Sequence, residues 1–283
     1  MLERWYDCVI ADPGKLTTRL VSTRGSHMGE AIARAEQKTG HVMAVGPGAA
    51  PIGESVGKSS VERGPGPVLP ADATTARWPR GVIPQWQPDT TLRLPQLGYV
   101  IHSGAPALTP TQERANSGPA VVVEVSCAAA SAHDLWMSLV EQMPGVDNIE
   151  VRLLPQFGDV AHTDIWLTPR INGKKAIRFL DDHQADLSNN GMVEIAAYLR
   201  SSNSTMRLTE HKTIVWVSQA ESTLADIRRW LTIAKVPMLA ALPDIAATPH
   251  WHYRVDKSST RERTEKRLLA MRLRRVDRIT AAS

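Results

Sequence analysis

Apolar strand formers crowd Trp5–Ile10, polar Asp12-Pro13-Gly14 interrupts them with a turn, and Leu16–Ser22 can return as a second strand. Strand formers on both sides of a Pro-Gly turn predict two strands. The pattern then changes: Met28, Ala31, Ile32 and Ala35 recur at three and four residues, placing them on one face of a helix over His27–Lys38. Ser26 is its expected cap, Gly40 its stop, and His41–Val45 a third strand. Residues 1–45 thus read as a small ββαβ unit.

Twelve of the 19 prolines fall between Gly46 and Pro119, so continuous helices and central strands are not expected there. Gly46–Thr75 reads as a linker. Residues 76–101 differ, because Trp78, Val82, Ile83, Trp86, Leu92, Leu94, Leu97, Tyr99, Val100 and Ile101 are too apolar for a solvated spacer. They read as an extended arm lying on another surface, with Trp78 and Trp86 as its anchors.

Residues 120–255 carry the main domain. Strands are expected at Ala120–Ser126, Ile149–Leu154 and Asp164–Ile171, and helices after Ser131-x-x-Asp134 and near Lys174–Asp182 and Met192–Arg200. Met206–Ser218 is a long strand or a hairpin. Ser218-x-x-Glu221 opens a helix with Leu224, Ile227 and Leu231 as its buried stripe, and Val236–Leu242 and Trp251–Val255 end the domain as strands. This order predicts an α+β sandwich of ferredoxin-like type.

The last segment, 256–283, is expected to be a basic helix over Arg261–Ile279 with Leu269, Leu273, Val276 and Ile279 as its apolar stripe. Charge makes it stand out. It holds nine basic and four acidic residues, a net +5, where the whole chain is +4, leaving residues 1–255 near −1. Arg261, Arg263, Lys266, Arg267, Arg272, Arg274, Arg275 and Arg278 are therefore expected to contact nucleic acid, DNA or RNA, or an acidic protein subunit.

Composition sets the remaining bounds. A chain of 283 residues at 42% apolar and 22% charged buries a real core in one large or two modest domains. Eight Trp against two Phe and four Tyr favour broad contact surfaces. Cys8 and Cys127 stand alone, which argues against a disulfide framework or a cysteine zinc site. The N-terminal stretch lacks the apolar core of a secretory signal, and no apolar run nears the roughly 20 residues that span a bilayer. A soluble cytoplasmic protein is the expectation.

Chemistry is sparser. On a single strand, Glu210 and Lys212 would share one face with Met206, Leu208, Ile214 and Trp216. This Glu-x-Lys resembles the metal-dependent nucleases of PD-(D/E)xK type. The resemblance implies that Glu210 holds Mg²⁺ or Mn²⁺ with an upstream carboxylate, Asp164, Asp181 or Asp182, while Lys212 orients the attacking water. At a hairpin tip, Glu210 and Lys212 would instead stand in solvent. His250 and His252, with His162, Asp164, Asp182 and His183, form a looser metal-binding prospect without an HExxH pattern. Gly53–Ser59 falls one residue short of a phosphate-binding loop, and no Gly-x-Ser-x-Gly elbow is present. No cofactor is expected outside the nuclease alternative. The leading expectation is a non-enzymatic subunit or adaptor of a larger assembly, touching nucleic acid through its basic tail. A protein-binding regulatory or inhibitor module is the second alternative.

Overall fold

Two antiparallel sheets organise the chain. The structure is a computed structural model that describes residues 3–11, 18–26, 28–39, 42–48, 59–65, 81–84, 96–105, 120–127, 132–155, 157, 162–170, 173–242, 250–253 and 259–280. Trp78, Trp86 and Gly53–Lys58 lie outside these residues.

The first sheet has six strands, ordered β4-β2-β1-β3-β13-β5. Its members are β1 (Arg4–Ala11), β2 (Thr18–Gly25), β3 (Val42–Pro47), β4 (Ser60–Pro65), β5 (Val82–Pro84) and β13 (His250–Tyr253). Helix α1 (Met28–Thr39) covers it, with Ala31, Ile32 and Ala35 buried as their spacing predicts.

The second sheet has eight strands, ordered β14-β9-β8-β10-β11-β12-β7-β6. These are β6 (Gly98–Ala105), β7 (Ala120–Ser126), β8 (Asn148–Leu153), β9 (His162–Leu167), β10 (Val193–Leu199), β11 (Ser204–Leu208), β12 (Ile214–Ser218) and β14 (Arg274–Thr280). Its neighbouring strands all run antiparallel. Helices α2 (Ala132–Gln142) and α4 (Thr223–Ile233) pack on one face. Trp136 Nε1 donates to the Met206 carbonyl at 3.4 Å, and Trp216 meets Trp230 edge-on at 5.6 Å. Two further helices are α3 (Gly173–Asp182) and α5 (Arg261–Ala270).

The sheets meet where β13 and the turn before β5 reach the 189–191 loop. His252 Nδ1–H donates to the Gly191 carbonyl at 2.7 Å. Gly81, at φ +100°, approaches so closely that a Cβ there would lie 2.6 Å from Gly191 N. One hydrophobic cluster runs from Cys8 and Val45 of the first sheet to Trp216 of the second and Leu231 of α4.

Four expectations are corrected. Met192–Arg200 is strand β10, not helix: β-branched Val193 and Ile195 and the neighbours β8 and β11 outweigh a spacing that also suits a helix. Val236–Leu242 forms no named strand; Met238 makes an isolated bridge to Tyr99. Ser218 does not cap α4, which starts at Thr223 behind Ser222; Ser218 Oγ instead accepts from Ala220 N at 3.1 Å. The basic tail is not one helix. Thr260 caps α5 by accepting from Arg263 N, the helix stops at Met271, and Arg272 turns the chain at φ +65°. Leu268 and Leu273 are buried and Leu269 is exposed, so the expected stripe is out of phase. Val276, Ile279 and Thr280 then favour a strand, and β14 completes the edge beyond β9.

Candidate functional site

Asp164 anchors the C-terminal unit. It lies on β9 with its carboxylate buried, 1% exposed, beneath three arginines. Arg261 Nη2 donates to Oδ2 at 2.6 Å, Arg278 Nε donates to Oδ1 at 2.9 Å, and Arg275 Nη1 lies 3.8 Å from Oδ1. His162 Nε2 stands 3.4 Å away. Burial acts to raise the Asp164 pKa. The hydrogen bonds from Arg261 and Arg278, with the charges of Arg261 and His162, outweigh it and hold the group below the ordinary carboxylate value.

The eight cations named from the sequence divide by role. Arg261 was expected at the surface, but its guanidinium is buried. It also donates to the carbonyls of Leu153, Leu154 and Phe157, and so clamps α5 to the loop after β8. Arg267 pairs with Asp186, whose carboxylate also accepts from Ser259 N. Lys266 pairs with Glu262 at 2.8 Å in solvent. Arg275 and Arg278 are nearly half exposed beside Asp164, and Arg275 lies over the Trp166 ring. Arg263, Arg272 and Arg274 are exposed and form no ion pair with any described residue.

A bulge in β14 explains why Arg275 and Arg278 converge. Arg275 opposes Trp166 and Arg278 opposes Asp164, with the register shifting between Arg275 and Asp277. Three residues apart on a regular strand, the two would point to opposite faces; the extra residue brings them to the same one.

Glu210 and Lys212 lie in the turn between β11 and β12, not on one strand. Lys212 is not in solvent either: it is fully buried, in the left-handed conformation at φ +61°. Its Nζ donates to the carbonyls of Asn190 at 2.8 Å and Val193 at 3.2 Å. Burial pushes its pKa down to about 7, against the pull of Glu210 and Glu194. Glu194 is pushed up to about 7 by burial and by the hydrogen bond and charge of Glu210, although Arg207 lies 2.9 Å away. Arg207 also reaches Glu150, which receives Arg152 at 2.7 Å. This network ties β8, β10, β11 and their turns together. Asp164 is engaged by the arginines above, and Asp182 stands exposed at the end of α3.

The histidines do not gather. His162 joins Asp164, His183 bonds the Asp182 carbonyl, and His252 faces Gly191 with its ring 5.2 Å from that of His211. His250 pairs with Pro84 through the backbone. Among the described residues, no three His, Cys, Asp or Glu side chains are grouped to hold a metal ion.

Sequence reasoning passed over a chain of three polar groups. His133 on α2 lies between Ser188 Oγ, 2.6 Å from Nδ1, and Asp181 Oδ1, 3.3 Å from Nε2. A carboxylate only accepts, so Nε2 carries hydrogen, and in the neutral ring Ser188 donates to Nδ1. The residue types are those of a nucleophile triad but the exposure is reversed. Ser188 is buried, while Asp181 opens on a cleft of about 710 Å³ between α2 and α3. Ser188 therefore orients the imidazole from the interior. The sequence offered no signal for this chain, since its members are 7 to 55 residues apart. Both cysteines are inert for a related reason: burial pushes the thiols of Cys8 and Cys127 up to about 12.

No family model, curated protein or solved structure matches this chain.

Proposed function

We propose that this chain is a non-enzymatic subunit or adaptor of a larger cytoplasmic assembly, and that α5 and β14 form the surface it offers to an anionic partner. The observation that carries this reading is β14 itself, whose seven residues are all exposed and include Arg274, Arg275 and Arg278. Arg263 and Arg272 extend the same charge, and Asp164 beneath three guanidiniums, with Glu265 beside Arg261, leaves positive charge in excess. Positive charge in that excess recruits anions at a distance and orients them at contact. The buried, unpaired cysteines suit a reducing compartment, and no helix among the described residues is long and apolar enough to cross a membrane.

A nuclease built on Glu210 and Lys212 draws little support from this geometry. Lys212 spends its donors on two carbonyls inside the fold, and Glu210 shares a hydrogen bond with Glu194. A water-orienting lysine needs access to the reacting centre, and this one is 0% exposed.

Fluorescence anisotropy of a labelled DNA duplex, an RNA strand and an acidic polypeptide over a salt series tests the reading. Wild type is compared with the triple variant Arg263→Gln, Arg272→Gln, Arg274→Gln. Binding to at least one of these anions is expected, and it should weaken tenfold or more in the variant. For a duplex, the logarithmic salt slope should be about −3 to −5. Absence of binding to all three anions at low salt overturns the reading.

A further inference from the structure

We propose that β14 is a strand-addition site for an acidic, extended segment of a partner protein, which pairs along the outer edge of the sheet. The inference rests on the anionic-partner reading above and names the kind of partner. Among the described residues β14 pairs with β9 alone, its seven residues are exposed, and no described strand takes up the backbone N–H and C=O groups of its opposite edge. An incoming extended chain satisfies those groups in a ladder, and the flanking side chains set its sequence preference.

Two features favour a peptide over a nucleic acid. Of the five large apolar side chains exposed among the described residues, Leu269, Val276 and Ile279 lie within α5 and β14, and Ile233 and Met238 lie elsewhere. Phosphates gain nothing from such groups, whereas the alternate side chains of an added strand bury them. The backbone edge, likewise, is complementary to another peptide edge.

Charge selects an acidic segment. Arg274, Arg275 and Arg278 face one acid in the strand, Asp277, leaving +2. Arg275 and Arg278 share Asp164 with the buried Arg261, which also pairs with Glu265 at 3.2 Å, so two carboxylates answer three guanidiniums. A Glu or Asp of the incoming strand placed beside Arg275 and Arg278 supplies the missing anion. A second copy of β14 brings +2 to +2 and is disfavoured by the same count.

The test uses the full chain and a synthetic peptide of about eight residues alternating Glu and Val. A second peptide of identical charge is methylated at alternate backbone amides, which removes ladder donors and little else. We expect the first peptide to bind, methylation to weaken it at least tenfold, and amide exchange in β14 to slow in the complex. Arg275→Gln with Arg278→Gln should weaken binding about tenfold. Since these variants touch Asp164, Arg274→Gln, which breaks no ion pair, is the companion expected to weaken binding several-fold with an unchanged melting temperature. Equal binding by the methylated peptide, or binding by duplex DNA alone, overturns strand addition and leaves the anionic-partner reading intact. A protein dimer abolished by the arginine variants overturns it in favour of a second copy. Silence from every anion at low salt removes both readings.

Discussion

Arg261 Nη2 and Asp164 Oδ2, 97 residues apart in sequence, stand 2.6 Å apart beneath the C-terminal strand, with the arginine side chain 9% and the aspartate 1% exposed. A buried pair of this kind contributes little beyond a good apolar substitute, but removing one partner strands the other charge. Asp164→Asn is therefore expected to cost about 3–5 kcal/mol at neutral pH by urea unfolding. The native pKa of Asp164 is lowered, so its stabilisation is present above the unfolded value near 4 and fades as pH falls through the native one. The gap between wild type and variant should narrow in acid; a gap as wide at pH 3 as at pH 7 counts against the ion-pair account.

Lys212 gives a pH signature of the same sign in alkali. Its native pKa is about 7 and its unfolded value 10.5, so between these the unfolded chain binds the extra proton. Stability from this group is full above the unfolded value and lost as pH falls toward 7, a slope of up to about 1.4 kcal/mol per pH unit. Lys212→Met abolishes that slope and leaves the Asn190 and Val193 carbonyls without their donor. Guanidinium unfolding of both proteins at pH 7.5 and 9.5 checks it, and parallel profiles would contradict the lowered native pKa.

Glu194 acts in the neighbouring window with the reverse sign. Raised from 4.5 to about 7, it stabilises fully below the unfolded value, and that contribution disappears as pH rises through 7. Glu194→Gln should thus gain on wild type between pH 5 and pH 8, even after the loss of its contact with Arg207. Thermal melts at the two pH values measure the crossing.

Where the two sheets meet, the fit at Gly81 is tight. An added Cβ would lie 2.6 Å from Gly191 N, and φ is +100°. Gly81→Ala is expected to cost more than 1 kcal/mol, while Lys235→Gly, at φ +57° on an exposed turn, should stabilise by about 0.5 kcal/mol. Equal melting temperatures for wild type and Gly81→Ala would show that the loop gives way.

Local pattern was legible where one face alone decides burial. In α1 the spacing of Ala31, Ile32 and Ala35 named the buried side, and β7 was readable from its run of valines. It failed at β10, where Met192, Ile195 and Leu199 fit a helical stripe as well as a strand, and only pairing with β8 and β11 decides. The tail failed differently. Leu268, not Leu269, turns inward, because α5 is fixed by Arg261 reaching Asp164 and Arg267 reaching Asp186. Those partners lie far along the chain, and no local period encodes them. The same holds for Lys212, whose charge suggests solvent until the Asn190 carbonyl of another loop and the Val193 carbonyl of β10 receive it.

The antiparallel pairing of β14 with β9 also sets a timetable for synthesis. Asp164 leaves the ribosome 114 residues before Arg278, an interval of roughly 6–23 s at usual elongation rates. Through that interval β9 is the margin of the nascent sheet, with Ile165 and Trp166 beside an open backbone and Asp164 lacking its counter-charges. The newborn chain thus passes through a stage at which a chaperone, or a neighbouring nascent chain, competes for the place that β14 later takes.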